Sequence, residues 1–67
     1  MPSTVIRRFN YALERRELLI EFTTGRRYIY ADVPEEEVKA MRAAFSKGRY
    51  FNARIRDRYQ AREIVSS

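Results

Sequence analysis

Leu18-Leu19-Ile20-Glu21-Phe22-Thr23-Thr24-Gly25-Arg26-Arg27-Tyr28-Ile29-Tyr30 is the stretch on whose reading the fold turns. Its first half sets Leu18, Ile20 and Phe22 against Leu19, Glu21 and Thr23, the period-2 pattern of a strand with one covered face. Its second half, Arg26 to Ala31, alternates in the same way, and the loop between them fixes where the two tyrosines point. A two-residue Thr24-Gly25 loop would need a positive φ at β-branched Thr24 for a type I′ turn, whereas type II′ wants its glycine first. A three-residue loop, Thr23 to Gly25 with Gly25 in the left-handed position, fits better. It pairs Ile20 with Tyr28 and Leu18 with Tyr30. Tyr28 and Tyr30 then belong to the half-buried face, with only their hydroxyls at the rim, and not to an open platform for stacking bases.

Before this hairpin, the segment from about Ser3 to Tyr11 reads as a first strand. Val5, Phe9 and Tyr11 share a parity with Arg7, while Ile6, Arg8 and Asn10 take the other, so its inner face carries one charged interruption. A polar turn through Glu14, Arg15 and Arg16 leads to the central hairpin. The opposite sheet face is expected to show Ile6, Arg8, Leu19, Glu21, Arg27 and Ile29, a mixture suited to a contact surface or to cover by the C-terminal segment.

Asp32-Val33-Pro34 ends the sheet. Pro34 suits the first position of a helix, and Glu35, Glu36 and Glu37 favour its positive end, which accounts for the acidic run without a metal site. Val38, Met41 and Phe45 recur at i, i+3 and i+7 beside Ala40, Ala43 and Ala44, predicting a helix from about Pro34 to Phe45 with that stripe on the sheet. At Ser46-Lys47-Gly48 either the glycine closes this helix or the serine caps the next. Beyond, Phe51, Ile55 and Tyr59 recur every fourth residue, as do Arg54, Arg58 and Arg62 one step round. If the segment is helical throughout, an apolar face and an arginine ridge lie side by side. Of Tyr50 and Phe51, Tyr50 is expected nearer the surface.

The expected architecture is α+β: a three-stranded antiparallel meander followed by two helices packed on one face, in the order β-β-β-α-α. It forms a single domain over residues 1–67, ordered from about 3 to 60 and frayed over 64–67. A chain of 67 residues buries only about 60% of its unfolded surface, so a few large side chains, chiefly its nine aromatics, must build the core.

The composition excludes much chemistry. With neither cysteine nor histidine, no disulfide, thiolate metal site or imidazole base can form. No nucleophile-base pair can be assembled from what remains, where only Asp32, Asp57 and the tyrosines could contribute. The chain is read as a non-enzyme without cofactor or small-molecule substrate. It lacks a membrane-spanning run or hydrophobic leader and is expected to be a soluble cytoplasmic protein, a monomer or weak homodimer.

Fourteen cations against nine carboxylates give a net charge of +5. Twelve of the cations are arginine, whose planar fork grips phosphates and stacks on rings. Lys47-Gly48-Arg49-Tyr50 sets backbone donors and charge at a helix start, where a phosphate could bind, or simply connects two helices. It lacks the spacing and preceding strand of a nucleotide-binding P-loop. Arg54, Arg56, Arg58 and Arg62, offset by Asp57 and Glu63, interleave with Tyr50 and Tyr59 as single-strand or structured-RNA binders do, or form a solvated face. The candidate nucleic-acid contacts are Lys47, Gly48, Arg49, Tyr50, Arg54, Arg58, Arg62, Arg27, Tyr28 and Tyr30. The alternative is a protein-interaction or dimerisation module using the exposed sheet face or an unpaired edge strand.

Taken together, Thr4-Val5-Ile6, Leu18 to Phe22, Gly25, Tyr28-Ile29-Tyr30, Val33-Pro34, Ser46 to Asn52 and Ile55-Arg56-Asp57-Arg58-Tyr59 resemble the KTSC domain nearly end to end. That family is named for a domain at the C-terminus of some lysyl-tRNA synthetases and also occurs as stand-alone small bacterial or phage proteins. The resemblance implies a compact α+β fold and a role in RNA binding, RNA being favoured over DNA. It transfers no catalytic residues. The arginines at positions 7, 8, 15, 16, 26 and 27 belong to this chain's own electrostatics.

Overall fold

The computed structural model describes residues 6–65. Strands β1 (Ile6–Ala12), β2 (Glu17–Phe22) and β3 (Arg27–Tyr30) are followed by helices α1 (Glu35–Ala43) and α2 (Lys47–Arg54), and then by a further strand, β4 (Ala61–Ile64). All neighbouring pairs are antiparallel and the sheet runs β1-β2-β3-β4. The general α+β class is as expected, but the sheet of the described residues has four strands, not three.

The central hairpin takes the three-residue loop. Gly25 adopts φ 94°, its N–H donates to the Phe22 carbonyl at 2.9 Å, and the Phe22 N–H donates to the Arg26 carbonyl at 2.9 Å. Leu18 faces Tyr30 and Ile20 faces Tyr28, as the loop length requires. Leu18 and Ile20 are fully buried and Tyr30 is 6% exposed, while Tyr28 is half-buried against the core. Both tyrosines are framework.

β1 differs from a plain alternation by one residue. Ile6 pairs with Phe22 but Arg8 pairs with Glu21, so a bulge at Arg7 inserts an extra residue into the strand. The bulge resolves the charged interruption. It keeps Phe9 and Tyr11 on the inner face, turns Ile6 inward beside them, and brings both Arg7 and Arg8 toward Glu21, at 3.9 and 2.7 Å. The expectation that Ile6 lies on the outer face is corrected by this shift of parity. Residues 3–5 of the expected first strand lie outside the described residues.

Pro34 is the N-cap of α1 in extended conformation (φ −71°, ψ 154°), one position before the first helical residue, and the three glutamates occupy the first turn. Val38 and Met41 are fully buried as predicted, but α1 stops at Ala43, and Ala44 turns extended (φ −68°, ψ 142°). Phe45 therefore leaves the stripe and is fully exposed. The core comprises Leu18, Ile20, Tyr30, Val33, Val38, Met41, Phe51 and Ile55. Phe51 sits at its centre, edge-on to Phe22 (5.5 Å between centroids) and Tyr30 (5.3 Å). Burying a side chain of this size contributes roughly 1.5–3 kcal/mol.

The second helix is short. After Arg54, the Ile55 and Arg56 N–H groups both donate to the Phe51 carbonyl, and Arg58 N–H turns back to the Ile55 carbonyl at 3.1 Å. This tight turn reverses the chain and delivers Ala61–Ile64 to the edge of β3, whose backbone groups would otherwise lack partners. Ala31 N–H donates to the Gln60 carbonyl at 2.8 Å, where the pairing begins. Ile64, expected to fray, is paired with Arg27. Ser66 and Ser67 lie outside the described residues.

Candidate nucleic-acid interface

Ser46 settles the choice between two caps. Extended at φ −124°, ψ 113°, it accepts the Arg49 N–H on its hydroxyl at 3.3 Å, an N-cap worth about 1 kcal/mol. Gly48 lies inside the first turn of α2 and does not close α1. Lys47 folds its ammonium to within 3.5 Å of the Ala44 carbonyl. Phe51 is buried and Tyr50 half-buried, the two side chains leaving the helix about 100° apart.

Two tyrosines bind this helix to α1 through one carboxylate. The Tyr50 and Tyr59 hydroxyls both donate to Glu37, from α2 and from the turn beyond it. Burial pushes both hydroxyls above their ordinary pKa, and the bond to Glu37 adds to the shift. The Arg54 guanidinium stands 5.8 Å from the Tyr50 ring centroid, so one face of that ring is already taken by a cation. Glu37 therefore does more than complement the helix dipole. A tyrosine on each side of the α2 turn was the available signal for it.

The stretch Val38 to Arg56 contains six cations, Lys39, Arg42, Lys47, Arg49, Arg54 and Arg56, and no carboxylate. Lys39 reaches Glu35 one turn back at 4.0 Å. Among the described residues, Lys47, Arg49, Arg54, Arg56 and Arg58 form no ion pair with a carboxylate, and all five are exposed.

The sheet's outer face is different. Among the described residues no helix covers it, and across it run Asn10, Leu19, Ile29 and Arg62 in one row and Arg8, Glu21, Arg27 and Ile64 in the next. A shallow hollow of about 280 Å³ opens there between Arg8, Asn10, Leu19, Glu21 and Arg27. Its arginines are largely answered within the chain. Glu21 accepts from Arg8 Nε at 2.7 Å, which holds its carboxyl below the usual range, helped by the charges of Arg8, Arg7 and Arg27. Arg62 reaches Glu17 at 3.7 Å.

The predicted site residues thus divide into three groups. Lys47, Gly48, Arg49, Tyr50, Arg54 and Arg58 are brought together on α2 and its following turn. Arg27 and Arg62 lie on the outer sheet face, so the expected ridge of Arg54, Arg58 and Arg62 does not exist: the chain leaves the helix before Arg58 and Arg62 is in β4. Tyr28 and Tyr30 face the core, Tyr28 edge-on to Phe22 at 5.7 Å. Phe45, which its spacing predicts to be core, is exposed beside the first group.

The described residues hold no cluster of potential metal ligands and no helix long and apolar enough to cross a membrane. Fold and surface together define a small α+β domain with two helices on one sheet face and a carboxylate-free basic segment. A family model for the KTSC domain matches residues 2–59, and the chain belongs to that family. It is 40% identical over 52 residues to an uncharacterised protein of Stutzerimonas stutzeri, a match spanning 78% of this chain and 73% of that one. The crystal structure of a KTSC domain protein from Yersinia pestis superposes with a TM-score of 0.86 at 33% identity, covering 97% of this chain and 92% of the other. That coverage carries the likeness past the end of the family match and into β4.

Proposed function

We propose that this chain is a non-enzymatic nucleic-acid-binding module of the cytoplasm that takes RNA in preference to DNA. It grips phosphates with Lys47, Arg49, Arg54, Arg56 and Arg58. The observation that carries this reading is the contrast between two surfaces: the cations of α2 and its turn have no carboxylate partner among the described residues, whereas Arg7, Arg8 and Arg62 on the sheet pair with Glu21 and Glu17. An arginine already paired loses that partner when it turns to a phosphate; an exposed, unpaired one exchanges only water and counterions.

Binding to a short RNA, followed by fluorescence anisotropy, should weaken linearly in log affinity with log salt. Arg54→Ala and Arg58→Ala should each flatten the slope by about 0.7–0.9, while Arg62→Ala changes it less. A second reading, docking of a protein on the outer sheet face, is favoured by half-buried Leu19, Ile29 and Ile64, which no helix covers. Binding insensitive to salt and to both α2-side variants, but lost in Ile29→Asp, would support it instead.

A further inference from the structure

Phe45 is as exposed as in an unfolded chain, at 106%, although the domain is too small to waste a large apolar side chain. Its exposure is built by the backbone. α1 stops at Ala43 and Ala44 is extended, so the ring leaves the row of Val38 and Met41 just where one more turn of helix would have continued it. Ser46 then caps α2 at once and fixes the far side of the connection. Among the described residues the other exposed large hydrophobics, Leu13 and Val65, lie in the β1–β2 turn and after β4, so Phe45 is not part of an apolar patch assembled from its own segment.

Its neighbours are cationic. Arg42 precedes it in the last turn of α1, Arg49 follows in α2, and the Lys47 ammonium is held 3.5 Å from the carbonyl of Ala44, the residue bonded to Phe45. Two other rings of the domain already carry guanidinium groups, Phe9 beneath Arg42 at 5.7 Å and Tyr50 beneath Arg54 at 5.8 Å. Phe45 has no ring or cation contact among the described residues. An open ring two residues from Lys47 and four from Arg49 along the chain suits a ligand that is flat and apolar at one point and anionic beside it. An unpaired nucleotide has that shape: the base stacks on an aromatic face and its phosphates meet the surrounding charges.

We propose that Phe45 is the stacking platform for an unpaired base of a single-stranded RNA whose flanking phosphates are held by Lys47 and Arg49. This rests on the reading of α2 as a phosphate-binding surface and narrows it to single strands and loops, because a duplex hides its base faces.

The test compares a labelled single-stranded RNA with a fully paired RNA of the same phosphate number, using the whole chain and Phe45→Ala, Phe45→Tyr and Phe45→Leu. An exposed ring can be replaced without disturbing the core, which circular dichroism checks. The expected result is a loss of about 5- to 150-fold in single-strand affinity for Phe45→Ala, with the same salt slope as the unsubstituted chain. Phe45→Tyr should retain binding, and Phe45→Leu should lose it although it remains apolar. Duplex affinity should be unaltered in all three. Unchanged single-strand binding by Phe45→Ala, or full binding by Phe45→Leu, would overturn the proposal while leaving the phosphate-binding reading intact if Arg54→Ala still weakens binding. Loss of self-association by Phe45→Ala in sedimentation, with RNA affinity unmoved, would assign the ring to a second copy and also overturn it. Failure of the unsubstituted chain to bind either RNA at low salt would remove both readings.

Discussion

The Tyr59 hydroxyl, in the turn beyond α2, donates to the Glu37 carboxylate in the first turn of α1 at 3.1 Å. Tyr50 donates to the same carboxylate, so a single acid ties α1, α2 and the returning chain together. Glu37→Ala should cost about 1–3 kcal/mol, since hydrogen bonds to a charged acceptor are among the stronger ones. Glu37→Gln, which keeps one acceptor oxygen, should cost less. Urea denaturation of the two variants checks the order.

Alkali should loosen the same joint. Burial raises the pKa of Tyr50, Tyr59 and Tyr30 above the ordinary 10.0, with Glu37 adding to the first two and Tyr28 to the third. The folded chain therefore holds these phenolic protons more tightly than the unfolded one. That share of the stability is complete below pH 10 and is lost as pH rises through the folded values. The denaturation midpoint should fall above pH 10, and tyrosinate absorbance in Glu37→Gln should appear at lower pH than in the unsubstituted chain.

Gly25 is needed for its backbone alone. At φ 94° a side chain is strained, yet a Cβ there would meet nothing within 4 Å. Gly25→Ala should cost about 1–2 kcal/mol with no change of core packing. An equal or greater stability in thermal denaturation would mean that the loop can take another form.

Phe51 anchors α2 by its ring. Its removal in Phe51→Ala should cost about 3–5 kcal/mol. A domain of this length has a total stability of only about 3–10 kcal/mol. The variant should show a weakened or absent cooperative melt by circular dichroism.

The parts of this fold that were legible in the sequence are those decided by neighbours along the chain. Gly25 and the alternation about it gave the hairpin register, and the acidic run and proline gave the start of α1 to within a residue. The bulge at Arg7 was not legible, because one inserted residue reverses the parity on which strand reading depends. β4 was missed because Ala61-Arg62-Glu63-Ile64 has no apolar alternation; what makes it a strand is the open edge of β3. Phe45 was placed in the core because its spacing assumes a helix that continues through Ala44, where no glycine or proline announces the break. The basic character of the site could be counted from composition. Which arginines are answered by Glu17 and Glu21 is a matter of sheet register, and only the fold supplies it.

The proposed RNA-binding surface, formed by the cations of α2 and its turn, is open to an amide-shift NMR titration. The chain would be titrated with tRNA, a single-stranded RNA and a duplex DNA, each at two salt concentrations. Shifts are expected to concentrate at Phe45, Lys47, Gly48, Arg49, Arg54 and Arg58, larger with RNA than with DNA and reduced by salt, with Tyr30 and Leu18 unmoved. No shift with any of the three at low salt, or shifts confined to Leu19, Ile29 and Arg62 on the outer sheet face, would contradict it.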